Sequence, residues 1–276
     1  MPTEVENNRE SEQDIVEKLI EDSIKIVVSL KSEIDNCNLE INETKIIYPK
    51  YRETKKEEKE LTKDGKQIIY KITKDIKKRI SEQEIKQIFI QSLNEEGRFL
   101  YSVETPTFSE HHFLGVNPRS GNIDVCLYVV NDKKIKRKFL LEFKANNKGP
   151  YENDFNKLAN ESASEEKNDS IDTFFIHIVE PFHPSTKDTI IRDYKAALEY
   201  FKNSKNNLTI YIITLRNTHE SKKKNATNTE ISDNIKYYSL EKQSGYYKIK
   251  INKKDNKNIG DILDGFINNN YESISK

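Results

Sequence analysis

Three charged residues interrupt two segments whose other residues are typical of buried β-strands. In KFLLEFKA (138–145), the alternation of side chains along a strand places Glu142 and Lys144 on the same face. Asp124 lies near the start of NIDVCLYVV (122–130), where its apolar neighbours point to the opposite face. Burying charges is unfavourable unless they are paired or bind a metal. We therefore expect two carboxylates and one ammonium group to converge on one sheet face.

These three residue types together could hydrolyse a phosphodiester bond. The oxygen ligands of Asp124 and Glu142 suit Mg²⁺ or Mn²⁺, which keeps bound waters and takes further ligands from phosphate oxygens. Such an ion polarises the phosphate and lowers the pKa of an attacking water. Lys144 would position that water or stabilise the developing negative charge. The alternative is that Glu142 and Lys144 form an ordinary ion pair on an exposed sheet surface.

The elements that would position these residues follow from hydrophobic periodicity and turn signals. Downstream of residue 81, helical and strand-like segments alternate, which favours an α/β sheet with helices on both faces. The segment KKEEKELTKDGK (55–66) reads as a solvated excursion between two strands, and NDKKIKRK (131–138) as a hairpin connection. The predicted helices are 11–35, 81–93, 151–164, 186–204 and 259–267, and the predicted strands are 45–49, 67–72, 98–108, 122–130, 138–145, 172–179, 208–215 and 246–251.

Composition excludes several classes of protein. The 46 basic residues balance the 46 acidic ones, so no global field would draw the chain to nucleic acid or to an anionic membrane. No apolar stretch is long enough to cross a bilayer, and the acidic start does not resemble a signal peptide, which predicts a cytoplasmic protein. The two cysteines form no metal-ligand spacing, and glycine-rich phosphate-binding loops are missing.

The order of these motifs, a capped helix, a strand, Ile-Asp and then Glu-x-Lys on the next strand, resembles the PD-(D/E)XK nuclease superfamily. The resemblance spans residues 81–215 and implies a restriction-endonuclease-like core with a central mixed β-sheet flanked by helices. Asp124 matches the first aspartate of the motif, and Glu142 with Lys144 matches its (D/E)XK portion. Asn122 stands where the motif has proline. We assign residues 76–276 to this domain and residues 1–75 to a helical and hairpin extension.

The resemblance also implies a glutamate from the preceding helix as a further active-site group. Glu82 lies along the inward stripe of that helix and is our candidate, whereas Glu84 is explained by a capping box with Ser81. Catalysis is therefore expected to involve Asp124, Glu142, Lys144 and Glu82, with Asp124 and Glu142 as ligands of Mg²⁺ or Mn²⁺. Asp154 and Lys157, three residues apart on the next helix, could line the cleft or form a solvated helical pair.

The expected substrate is nucleic acid, and the implied role is a DNA endonuclease of a restriction or anti-phage defence system. The basic run beside the proposed site could grip a phosphate backbone, or it could be a solvated turn. The chain could also act as a homodimer, or with a partner defence protein. The alternative function is a catalytically inactive module of the same fold that binds nucleic acid or protein. The candidate nucleic-acid contacts are Lys133, Lys134, Lys136, Arg137 and Lys157.

Overall fold

A mixed sheet of seven strands forms the centre of the computed structural model of the chain. Its helices are α1 (Glu12–Asp35), α2 (Glu82–Glu96), α3 (Glu152–Asn160) and α4 (Pro184–Ala197), the last continued by a 3-10 helix (Leu198–Asn203). Its strands are β1 (Lys50–Leu61), β2 (Gln67–Lys78), β3 (Leu100–His111), β4 (Arg119–Asn131), β5 (Lys134–Ala145), β6 (Asp172–Val179), β7 (Asn207–Thr214), β8 (Gly245–Ile251) and β9 (Tyr271–Ser273). The structure describes residues 10–35, 50–61, 67–78, 80–111, 119–131, 133–145, 149, 151–163, 170–180, 184–215, 244–252 and 271–274.

The seven strands lie in the sheet in the order of the chain, from β3 to β9. The pairs β3–β4 and β4–β5 are antiparallel, β5–β6 and β6–β7 are parallel, and β7–β8 and β8–β9 are antiparallel. The parallel connections run through α3 and α4, as parallel strands require. β5 is thus an inner strand with one antiparallel and one parallel neighbour. β1 and β2 pair separately as an antiparallel two-stranded sheet.

Helices cover both faces of the sheet. One apolar cluster joins α1 and α2 to residues such as Phe139, Leu141 and Phe143 of β5. The other joins α3 and α4 to the opposite face of the same strands, including Leu140 and Phe175. This confirms the predicted α/β architecture with a mixed sheet flanked by helices. The division of the chain at residue 75 stays a prediction, although α1, which precedes it, contributes to the first cluster.

The start and end of α2 follow the predicted signals. The backbone N–H of Ser81 donates to Glu84 Oε2 at 2.6 Å, which is one half of a capping box. Gly97 ends the helix with a φ of 71°, a left-handed conformation that glycine adopts without strain, and its N–H donates to the Leu93 carbonyl. These two signals therefore set the limits of α2, whose first turn is acidic.

Two predicted hairpins are confirmed as antiparallel pairs, but strand extends into both predicted connections, because backbone pairing continues through charged sequence. The stretch predicted as a solvated excursion (55–66) lies mostly in β1, whose backbone pairs with β2. The connection predicted at 131–138 joins β4 and β5 as an antiparallel hairpin, but most of it is strand, since β5 begins at Lys134. The predicted strand 45–49 and helix 259–267 lie outside the described residues. No helix within the described ranges is long and apolar enough to cross a membrane.

Candidate active site

Glu142 lies on the face of β5 that α3 covers. Its side chain is 5% exposed, so the alternative of a solvated ion pair on an open sheet surface is wrong for this residue. Glu142 and Lys144 follow Leu140 along the same face, in register with Phe175 and His177 of β6. The ionic partners of both residues come from helices. Glu142 Oε1 lies 2.5 Å from Lys157 Nζ, and Lys144 Nζ lies 3.2 Å from Asp154 Oδ2.

Asp124 is fixed beside these two residues by the backbone of β5. Its Oδ2 accepts a hydrogen bond from the Phe143 amide, which lies between Glu142 and Lys144, at 2.8 Å. Its Oδ1 lies 3.1 Å from the buried ammonium group of Lys86 on α2. The β4–β5 pairing extends to Val125, which lies opposite Leu141. The carboxylate of Asp124 therefore accepts a hydrogen bond from an amide of β5 just beyond these paired residues.

Glu82 reaches the same end of β5 from the first turn of α2. Its Oε1 accepts a hydrogen bond from the Ala145 amide at 3.3 Å and lies 3.9 Å from Lys144 Nζ. Glu84 is held in the capping box with Ser81 instead. The structure therefore brings together all four residues predicted for catalysis, and it places Glu82 rather than Glu84 beside Lys144.

Asp154 and Lys157 face the site from α3, and the prediction of a solvated pair is wrong for them. Their side chains are 14% and 10% exposed, and Asp154 Oδ1 lies 3.2 Å from Lys157 Nζ. Phe155 and Leu158 of the same helix are buried, as is its N-cap residue, Tyr151. With Asp154 they follow the spacing of one inward helix face, so this apolar pattern was the signal that could have identified Asp154. Lys157, three residues from Asp154, points to the same side.

Burial favours the neutral forms of Glu142, Lys144 and Lys157, whereas neighbouring groups of opposite charge favour their ionised forms. Burial raises the pKa of Glu142 well above its usual range, against the attraction of Lys157, and nearby Asp154 and Asp124 raise it further. Burial alone would lower the pKa of Lys144, but Asp154 and Glu82 outweigh it and raise that pKa. Burial alone would also lower the pKa of Lys157, but Glu142 and Asp154 outweigh it and raise that pKa. The lysines are therefore held charged.

Carboxylates outnumber ammonium groups in this cluster. Among the residues that the structure describes, five carboxylates interact with three lysines, which leaves a formal excess of two negative charges when all are ionised. That excess matches the charge of one divalent cation. The carboxylates are Glu82, Glu104, Asp124, Glu142 and Asp154, and the ammonium groups are Lys86, Lys144 and Lys157.

The donor set of Asp124 and Glu142 fits Mg²⁺ or Mn²⁺. Among the residues that the structure describes, no group of three or more His, Cys, Asp or Glu side chains has the spacing of a metal site. Mg²⁺ is commonly held by one or two carboxylates, with water and substrate phosphate completing its octahedron. Asp124 and Glu142 supply that number of carboxylates from adjacent strands and lie near enough for the charge of Asp124 to raise the pKa of Glu142.

The basic run lies away from these residues, not beside them. Lys133, Lys134 and Lys136 are exposed at the turn into β5. At about 3.3 Å per residue, Lys136 lies about 20 Å along the strand from Glu142. Their role as nucleic-acid contacts stays a prediction. Lys222, Lys223 and Lys224, a second basic cluster, lie outside the described residues.

Arg137 is a buried structural residue rather than a member of the exposed run. Its Nη2 donates to the Pro106 carbonyl at 2.9 Å, and its guanidinium carbon lies 3.7 Å from the centre of the Phe108 ring. Its Nη1 lies 3.5 Å from Glu161 Oε1, just after α3. Alternation along β5 explains the difference, because Lys136 and Arg137 point to opposite faces.

Comparisons of the chain with family models, with curated proteins and with solved structures found no significant match.

Proposed function

We propose that the chain is a metal-dependent nuclease that hydrolyses phosphodiester bonds, with double-stranded DNA as its expected substrate. The observation that carries the proposal is the convergence of Asp124, Glu142, Lys144 and Glu82 at one end of β5. In support, the order α2, β3, β4, β5, α3, β6, with β5 between an antiparallel and a parallel neighbour, agrees with what the PD-(D/E)XK resemblance implies.

Each residue of the site has a distinct task in this proposal. Asp124 and Glu142 would hold Mg²⁺ or Mn²⁺, which supplies a polarised phosphate and a bound water of lowered pKa. The Phe143 amide fixes the orientation of Asp124. Lys144 remains protonated because Asp154 and Glu82 raise its pKa. Its ammonium group can therefore orient the attacking water or donate to the phosphate oxygens as their charge develops.

The second candidate is a module of the same fold that binds nucleic acid or protein without cleaving. One observation favours it: the two proposed metal ligands already have ammonium partners, since Lys86 contacts Asp124 and Lys157 contacts Glu142. A pair of carboxylates neutralised by lysines could serve only to stabilise the fold. In either case a homodimer or a partner defence protein could complete the functional unit.

A cleavage assay separates these candidates. Supercoiled plasmid and single-stranded DNA are incubated with the purified chain and Mg²⁺, Mn²⁺ or EDTA. We expect cleavage with either metal and none with EDTA, and a loss of about 100-fold or more in Asp124→Asn and Lys144→Met. Asp22→Asn and Lys25→Met make the same changes in an exposed ion pair on α1 and should cleave normally. Full activity in both site variants refutes the proposal.

A further inference from the structure

The ammonium group of Lys157 lies among three oxygen atoms supplied by three different elements. Its Nζ is 2.5 Å from Glu142 Oε1 on β5, 2.8 Å from the Asn122 carbonyl on β4 and 3.2 Å from Asp154 Oδ1 on α3. The side chain is 10% exposed. A lysine ammonium carries three N–H donors; here it donates a hydrogen bond to the Asn122 carbonyl and forms ion pairs with the two carboxylate oxygens. We call these three oxygen atoms the oxygen cage.

The oxygen cage has the chemical character of a cation-binding site. Two of its oxygens are anionic and the third is a backbone carbonyl, which are the ligand types of hard cations. Glu142 is buried, and burying its charge without a counter-charge would be strongly unfavourable. Lys157 supplies that counter-charge from within the chain. Lys157 therefore favours the ionised form of Glu142, although burial still outweighs it and raises the pKa of that group.

An external divalent ion and Lys157 cannot occupy the same position. Mg²⁺ approaches its oxygen ligands to about 2.0–2.1 Å, so an ion on Glu142 Oε1 would lie close to the ammonium group of Lys157, and repulsion between the two positive charges would drive that group away. The four-carbon stem of lysine permits such movement. Since the proposed metal site needs Glu142 as a ligand, the ammonium group of Lys157 beside Glu142 opposes metal binding there.

We propose that Lys157 is a built-in competitor for the metal site, which holds Glu142 and Asp154 in place without metal and weakens metal affinity until it is displaced. The inference rests on the proposed function, because it concerns the regulation of that same site. Displaced from the oxygen cage, the ammonium group of Lys157 becomes available to substrate phosphate. Metal and nucleic acid would then bind cooperatively, since phosphate gives the released ammonium group a new partner.

The test is the affinity of the full chain for Mn²⁺ alone, measured without DNA by titration calorimetry or by the electron paramagnetic resonance of free Mn²⁺. Lys157→Met removes the charge at nearly constant length and should bind Mn²⁺ at least about tenfold more tightly than the unaltered chain. Lys157→Arg keeps the charge and should bind no more tightly. Lys202→Met, which removes a lysine from an exposed ion pair, is the matched control and should leave affinity unchanged.

A folding defect is separated from the proposed effect by thermal unfolding in EDTA and in Mn²⁺. Lys157→Met should unfold at a lower temperature in EDTA and be stabilised by Mn²⁺ more than the unaltered chain, because metal replaces the missing counter-charge. Lys157→Gln keeps a donor for the Asn122 carbonyl and is measured in parallel. Equal or weaker Mn²⁺ binding by both neutral variants, or no measurable binding by any form, overturns the inference.

Failure of this inference is distinguishable from failure of the proposed function. If the unaltered chain cleaves DNA but the neutral variants bind Mn²⁺ no more tightly, Lys157 is not a competitor and the nuclease proposal stands. If the neutral variants bind Mn²⁺ more tightly but the unaltered chain cleaves nothing, the oxygen cage is a cation site without nuclease activity.

Discussion

The replacement Arg137→Met tests whether the buried ion pair of Arg137 and Glu161 stabilises the fold. The guanidinium group bridges β5 to the Pro106 carbonyl and to Glu161, whose side chain is fully buried. Glu161 also accepts a hydrogen bond from the Phe108 amide at 2.9 Å. Removing the arginine therefore leaves a buried carboxylate without its cation. Such a loss lowers the free energy of unfolding by about 3–5 kcal/mol.

The measurement is urea-induced unfolding at pH 7 for Arg137→Met, Glu161→Gln and the double variant. The double variant should be more stable than Arg137→Met, because glutamine keeps an acceptor for the Phe108 amide without a buried charge. Arg98→Met, in an ion pair whose arginine is exposed, is the control and should cost less than about 1 kcal/mol. A cost for Arg137→Met as small as that of the control, or a double variant no more stable than Arg137→Met, refutes the reasoning.

Two further predictions concern ionisation outside the proposed site. Burial opposes ionisation of Glu17, but Lys248 and Lys250 outweigh it and hold the pKa of Glu17 below its ordinary value of 4.5. The stability that this ion pair contributes is present above that value and is lost as pH falls through the lowered pKa. Urea unfolding should therefore show a loss in Lys248→Met at pH 7 that shrinks towards pH 3, whereas a constant difference contradicts this assignment. Burial also raises the pKa of the Cys126 thiol to about 11. In the Cys37→Ser variant, a disulfide reagent at pH 8 should therefore modify Cys126 only as the chain unfolds. Rapid modification of the native protein would contradict the burial of Cys126.

Local patterns predicted the elements that carry the proposed chemistry. The capping box of Ser81 and Glu84 and the glycine at position 97 set the limits of α2, because both act within one turn of helix. Alternation along β5 placed Glu142 and Lys144 on one face. Glu82 was selected by its position on the inward face of α2, and the structure places it beside Lys144.

The partners of these residues could not be predicted, because they depend on long-range packing. Lys86 forms an ion pair with Asp124, and Lys157 forms one with Glu142. No local sequence pattern links the members of either pair. The inward position of Asp154 follows from the periodicity of its apolar neighbours along α3, whereas its charge is typical of a solvated helix face. At the start of β5 the basic run is typical of a connecting loop, although its residues continue the strand, because cross-strand backbone pairing does not depend on side-chain charge.

The central claim is that β4 and β5 bring Asp124 and Glu142 together around one divalent cation beside Lys144. Anomalous diffraction from crystals grown with Mn²⁺ tests it most directly, because manganese is located without reference to activity. We predict a peak about 2.0–2.2 Å from a carboxylate oxygen of each residue, with Lys144 adjacent. No peak at this position in crystals grown with excess Mn²⁺, or side chains of Asp124 and Glu142 that point apart, would contradict the account.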